Sequence, residues 1–179
     1  FGISDPVNIV SLGEGYTPLL EDQLFGQNVF LKMDQLCPTG SFKDRGTTVM
    51  LSKLKEWGLK RLIEDSSGNA GASVAAYAAR AGIRPDVYIP AYTSAGKAAQ
   101  IALYGANLIK VPGTREDTAQ AALAAAEIEF YASHNWSPHF MNGLKSLAYE
   151  LAEQLNWEAP DWVVAPVGGG SLILGLYSG

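Results

Sequence analysis

A single cysteine, Cys37, and two histidines, His134 and His139, are the only strong soft-metal ligands in this 179-residue sequence. One cysteine excludes an internal disulfide and any multi-cysteine zinc site, and it suits a reducing, cytoplasmic location. The two histidines share one loop without H-x-x-x-H spacing, so no metal is expected from them. Positive charge is also scarce. Thirteen Lys and Arg against 18 Asp and Glu leave a net charge of −5, so no nucleic-acid partner is expected. Long apolar runs are missing: the longest nearly uncharged stretch, residues 91–108, contains Lys97 and Gln100 and reads as a protein helix, so no membrane partner is expected. The opening FGISDPVNIV has no initiator Met and lacks the basic start and apolar run of a secretion signal. The other end, GGGSLILGLYSG, opens a loop-to-helix unit and stops, so the chain is expected to be C-terminally truncated.

What is present is a globular composition, 47% hydrophobic and 17% charged, enough for one domain or two small lobes. Beyond Lys43 helix-like and strand-like segments alternate with short connections, the pattern of a parallel α/β fold. Helices are predicted over residues 44–56, with Val49, Met50, Leu51 and Leu54 as the apolar face, and over 68–82, 94–105, 114–128 and 142–155. Thr114 followed by Asp117 reads as a capping box. Strands are predicted over 61–65, 86–90, 107–112 and 129–133, and DWVVAPV (161–167) reads as a buried strand leading into Gly168. No repeat, low-complexity linker or charge block interrupts the chain.

Three stretches carry chemistry. In CPTGSFKDRG (37–46), Lys43 sits behind a Pro-Thr-Gly-Ser turn, between an aromatic residue and an Asp-Arg pair, a setting that a solvated lysine does not need and a nucleophilic one does. SSGNAGAS (66–73) follows a strand and opens a helix, so its backbone N–H groups and the helix dipole suit an anion. VGGGSL (167–172) is placed in the same way, and its glycines permit close backbone approach to a phosphate. Nucleotide and hydrolase motifs fail. G-x-G-x-x-G from Gly168 needs glycine at Ile173, a P-loop needs glycine at Ala91 and Ser or Thr at Ala98, and G-x-S-x-G around Ser171 again needs glycine at Ile173. One lysine, one polar helix N-terminus and one glycine cradle make a kit for a phosphate-bearing aldehyde cofactor held as a lysine imine, plus a substrate carboxylate.

TGSFKDRG, SSGNAGAS and PVGGGSL, in this order and at these intervals, resemble the fold-type II pyridoxal-phosphate enzymes of the tryptophan synthase beta-like superfamily. The start SLGEGYTPLL followed by CPTGSFKDRG is most similar to threonine synthases. The resemblance implies an α/β fold of two lobes, with parallel open sheets in three-layer α/β/α packing. Residues 1–43 and 140–179 would be parts of the larger, cofactor-binding domain and 44–139 the smaller α/β domain. It implies a lyase using pyridoxal 5′-phosphate, converting O-phosphohomoserine and water to threonine and phosphate. Lys43 would be the Schiff-base lysine and proton carrier. Asn69 would bond the cofactor's 3′-oxygen, Gly168, Gly169, Gly170, Ser171 and Leu172 would bind its phosphate, and Ser66, Ser67, Gly68 and Ala70 would surround the substrate carboxylate. The Ser or Thr facing the pyridine nitrogen belongs to a family segment that this sequence lacks. A small amino-acid substrate and a homodimer are expected.

Three departures from the threonine synthase pattern keep a serine or threonine dehydratase and a β-replacement synthase open. The phosphate loop is GGGSL without asparagine, Ala70 stands where a polar residue is usual, and Phe140 stands where an arginine helps hold the substrate phosphate. A non-catalytic module with this fold would need none of Lys43, Asn69 and the glycine loop. His134, Asn135 and Ser137 are substrate-side candidates. Trp57, Trp136, Trp157 and Trp162 read as core or interface aromatics, Cys37 as structural, and Lys97 and Lys145 as surface charges.

Overall fold

A computed structural model describes residues 1–179. The first 36 residues form a strap and a hairpin. Strands β1 (Leu19–Leu24) and β2 (Gln27–Lys32) pair antiparallel, with Leu24 opposite Gln27. Phe25 and Gly26 make the turn, both with positive φ (52° and 74°), the backbone that a tight two-residue hairpin needs for strands of natural twist. Phe25 accepts that conformation while wholly exposed, at 102% of its reference area.

Helix α1 (Lys43–Glu56) follows, burying Val49, Met50, Leu51 and Leu54 as predicted. Strand β3 (Arg61–Glu64), helix α2 (Asn69–Ala81), strand β4 (Arg84–Pro90), helix α3 (Ala95–Leu103), strand β5 (Asn107–Val111) and helix α4 (Arg115–Ala125) then alternate. The three strands form a parallel sheet in the order β3-β4-β5. Helices α2 and α3 pack together beside it. After β5 the chain runs back across the sheet, and α4 touches all three strands on the way. Because parallel crossovers are right-handed, this reversal of direction sends α4 to the opposite face and makes three layers. Helix α2 is largely alanine, which favours helix and lets it press closely on β4 through Ala72 and Ala75. At the start of α4 both hydrogen bonds of the Thr114–Asp117 capping box are made.

Three expectations need correction. Residues 129–133 do not form a strand of their own; Tyr131 alone bridges Ile63, with Ile63 N–H donating to the Phe130 carbonyl and Ala132 N–H to the Ile63 carbonyl. Helix α5 (Pro138–Gln154) begins four residues before the predicted 142, because Ser137 caps it by accepting from the Phe140 N–H and Pro138 suits its first turn. Residues 161–167 are neither a strand nor buried: Trp162 is 87% and Val164 96% exposed. A strand needs a hydrogen-bonding neighbour, and no segment of this chain lies beside them. The four tryptophans, expected in the core or at an interface, all lie outside the core; Trp57 packs edge-on to His139 at the surface, 5.2 Å between ring centroids. Helix α6 (Ser171–Ser178) closes the chain against α5.

Helices α1 and α5 cross backbone to backbone. A Cβ on Gly143 would collide with the Arg45 carbonyl oxygen and lie 2.9 Å from Gly46 Cα, so only glycine permits this spacing. Beside the crossing, the fully buried Arg45 guanidinium bonds Asp34 through Nε and Nη2 at 2.8 Å each, and also bonds both carboxylate oxygens of Glu150. Lys32 at the end of β2 bonds Glu150 at 2.8 Å and the Thr17 carbonyl at 2.7 Å. Burial works against the Glu150 charge, but the bonds from Arg45 and Lys32 outweigh it and hold its carboxyl below the usual range. Replacing one partner of such a network leaves the others buried and unpaired. Arg45→Met should lower stability by about 3–5 kcal/mol, whereas Thr114→Ala, at an exposed cap, should cost about 1 kcal/mol, both read by urea unfolding.

Candidate active site

Lys43 is the first residue of α1, behind a turn that its neighbours lock. Asp44, fully buried, accepts from the Thr39 N–H (2.8 Å), the Thr39 hydroxyl (2.6 Å) and the Ser73 hydroxyl (2.6 Å). The turn 39–43 is thus tied to α1 and α2 together, while Arg45 ties the same helical turn to Asp34 and α5. Between these anchors the Lys43 amine is left free. It lies 4.7 Å from the Phe42 ring centre and 5.7 Å from that of Phe140, with no hydrogen bond or ion pair holding it. Half-buried among rings, it pays a desolvation cost as a cation, so its pKa is lowered from the ordinary 10.5, with Glu64 pulling the other way. That is the condition a lysine nucleophile requires.

The loop after β3 carries Ser66, Ser67 and Gly68, all half-buried, and Asn69, exposed, as the first residue of α2. Ala70, the second residue of α2, is buried at 2% exposure. The loop folds tightly over α2 because residue 71 is glycine: a Cβ there would run into the Ser66 carbonyl oxygen. The second loop brings Gly168 and Gly169, both exposed, to Gly170, which caps α6 in the left-handed region at φ 81°. Ser171 and Leu172 begin α6 and are buried. A Cβ added at Gly168 or Gly170 would meet nothing within 4 Å. Open space in front of glycines at a helix N-terminus is what a phosphate cradle offers.

The loop before α5 joins these parts. A Cβ on Gly169 would sit 3.0 Å from Asn135 Oδ1, so Asn135 touches the glycine loop. His134 Nδ1 meets the buried Glu64 carboxylate at 3.0 Å, and its ring stands edge-on to Phe140 at 5.9 Å. Phe140 is fully buried and fills the space that Gly46 leaves for it, 2.7 Å from the position a Cβ would take. Lys43 and His134 are therefore gathered around one ring, and Asn135 and Gly169 around one contact. Sequence reasoning did not single out Glu64, although a glutamate closing an otherwise apolar strand end, just before SSGN, was a visible signal. Cys37 is buried and its thiol is pushed up to about 11 by that burial, which fits a structural role. No group of three or more His, Cys, Asp or Glu could hold a metal ion, and no helix is long and apolar enough to cross a membrane.

Residues 10–179 match the family described as pyridoxal-phosphate dependent enzyme. The chain belongs to that family. Among curated relatives, the threonine synthase of a Synechocystis species is 39% identical over 185 residues, spanning 99% of this chain and 48% of its own. The threonine synthase of Methanocaldococcus jannaschii is 38% identical, spanning 99% of this chain and 45% of its own. The chain therefore spans about half the length of the curated relatives it matches. Of solved structures, the cysteine synthase of Entamoeba histolytica superposes with a TM-score of 0.85 at 23% identity, over 92% of this chain and 54% of that one. A pyridoxal 5′-phosphate-dependent aspartate racemase gives 0.82 at 25% identity, over 90% and 52%. The α/β architecture with its parallel sheet and flanking helices is thus that of fold-type II enzymes.

In this family member the desolvated lysine has a measurable cost. Below its lowered folded pKa, Lys43 is charged both folded and unfolded, and folding must strip water from the cation. As pH rises toward 10.5 the folded state sheds the proton first and the penalty fades. Lys43→Met should accordingly raise the urea midpoint of the cofactor-free protein at pH 7, with a smaller gain at pH 10. A variant no more stable than the parent at pH 7 would contradict this.

Proposed function

We propose that this chain supplies the lysine-bearing part of a pyridoxal 5′-phosphate-dependent lyase of threonine synthase type, acting on O-phosphohomoserine and water to give threonine and phosphate. The observation that carries the reading is the Lys43 amine, desolvated and unpaired, carried by a locked turn at the head of α1. Identity of 38–39% to threonine synthases over 99% of the chain supports the substrate class. The residues fit the cofactor: a free amine for its aldehyde and an open glycine cradle for its phosphate.

In this reading Lys43 holds the cofactor through its amine and, once displaced, holds and moves protons at the substrate carbons. Gly168, Gly169, Gly170, Ser171 and Leu172 bind the phosphate through their backbone at the head of α6. Asn69 holds the ring plane through the 3′-oxygen. Ser66, Ser67, Gly68 and the Ala70 backbone take the substrate carboxylate, with His134 and Asn135 on the substrate side. When bound, the pyridine ring supplies the electron sink, and the protein chooses which bond breaks by orientation. Residues 44–139 act as the smaller lobe, with 1–43 and 140–179 belonging to the larger one, in a cytoplasmic homodimer.

A second reading, a serine or threonine dehydratase or a β-replacement synthase, is favoured by one observation. Phe140 is core, sealed between α1 and His134, and offers a substrate phosphate no charge. Assaying the protein for phosphate release from O-phosphohomoserine and for keto-acid formation from threonine separates the two.

Borohydride reduction of the protein supplied with pyridoxal phosphate, followed by peptide mass mapping, tests the shared chemistry. A pyridoxyl adduct on Lys43 is expected, and Lys43→Ala should lose both the adduct and activity. Reduction that labels no peptide containing Lys43 would leave only a shared fold.

A further inference from the structure

The Glu64 carboxylate has no role in the reading above, yet its setting is unusual for this chain. It ends β3, a strand whose Leu62 and Ile63 belong to the core, and it is itself fully buried. One oxygen meets His134 Nδ1 at 3.0 Å, while Oε2 is buried with no hydrogen-bond partner. The purely structural carboxylates look different: Asp44 accepts three bonds, and both oxygens of Glu150 are engaged by Arg45. A buried acceptor left unsatisfied is destabilising, and an apolar side chain would fill the end of β3 without that cost.

The backbone explains why the pair forms. Ala132 N–H donates to the Ile63 carbonyl, pinning the chain beside β3 so that His134, two residues on, faces Glu64, one residue on. Phe140 neighbours both the couple and the lysine, its ring centre 5.9 Å from that of His134 and 5.7 Å from Lys43 Nζ. Lys43 makes no ion pair with the carboxylate, and beside this apolar ring the low-dielectric interior lets the carboxylate charge be felt by the amine. The charged and titratable groups around Glu64 are Lys43 on α1, Asp65 beside it, Arg115 on α4, and Tyr131 and His134 on the segment after α4.

We propose that Glu64 and His134 form a positioning couple for Lys43: Glu64 fixes the imidazole with its proton on Nδ1, and the couple's shared charge, acting beside Phe140, sets how readily the lysine amine gives up its proton. The proposal deepens, and rests on, the assignment of Lys43 as the cofactor-bearing lysine. Burial lowers the proton affinity of Lys43 and Glu64 opposes that; burial raises the Glu64 carboxyl on balance, with His134 and Arg115 pulling it back toward the charged form.

The test reads Lys43 in the cofactor-free protein, through the pH dependence of its acetylation by acetic anhydride, followed by peptide mass mapping. Glu64→Gln removes the charge, and the midpoint should fall by about one pH unit, making Lys43 roughly tenfold more reactive at pH 7. Glu64→Asp keeps the charge and should stay near the parent midpoint. A Glu64→Gln midpoint equal to the parent's would reduce Glu64 to a structural residue and overturn the proposal. A readout that needs no variant is nitrogen-15 histidine NMR of the parent: the neutral His134 ring should carry its proton on Nδ1, and finding it on Nε2 would also overturn the proposal, even were Glu64→Gln unable to fold. If the midpoint moves but borohydride leaves no adduct on Lys43, the coupling stands and the cofactor assignment fails instead.

Discussion

The Arg45 guanidinium is the point on which the remaining structure depends. It is fully buried, and it binds Asp34 after the hairpin, Glu150 on α5 and, through Nη2 at 3.2 Å, the Thr17 hydroxyl in the strap. Lys32 from β2 joins at Glu150. Segments far apart in sequence thus converge on the second residue after Lys43. Buried ion networks contribute little net stability compared with apolar packing, since desolvation offsets most of the attraction. What this one supplies is register. A guanidinium with fixed fork geometry favours a defined arrangement of its carboxylates, which ties the strap, hairpin and α5 to one side of α1.

That rigidity serves the amine next door. Lys43 is desolvated because Phe42 and Phe140 cover it, and Phe140 can do so because Gly46 has no side chain and Gly143 lets α5 come close. The chain holds a charge where charge is disfavoured, and the surrounding bonds of Asp44 and Arg45 prevent the turn from relaxing to rehydrate it. Strain of this kind gathers at functional sites because stability elsewhere can carry it.

Much of this was legible in the sequence. Apolar spacing gave α1, short β-branched runs gave β3, β4 and β5, and Thr114 with Asp117 marked the start of α4, since each is a local signal matched to local structure. The turns before α1, α2 and α6 were legible because glycine and small polar residues mark helix starts and tight connections. What stayed hidden was non-local. The Phe25–Gly26 turn uses a residue that rarely adopts positive φ. Ser137–Pro138 is a helix-start signature set in a segment with no apolar periodicity before it, so it marks α5 only once the helix is seen. The Glu64–His134 pair spans 70 residues and exists only because Ala132 docks on Ile63. The DWVVAPV segment has strand composition, but composition cannot supply a partner.

That last segment has a practical meaning for anyone handling these 179 residues alone. Val163 and Val164 lie in the open with their backbone uncapped by any neighbouring strand, and no proline interrupts the run until Pro166. Such a stretch is a template for intermolecular pairing. Higher concentration should then shorten the time the polypeptide stays in solution. A companion strand laid along residues 161–167 would remove that hazard and at the same time steady the glycine loop that begins one residue later.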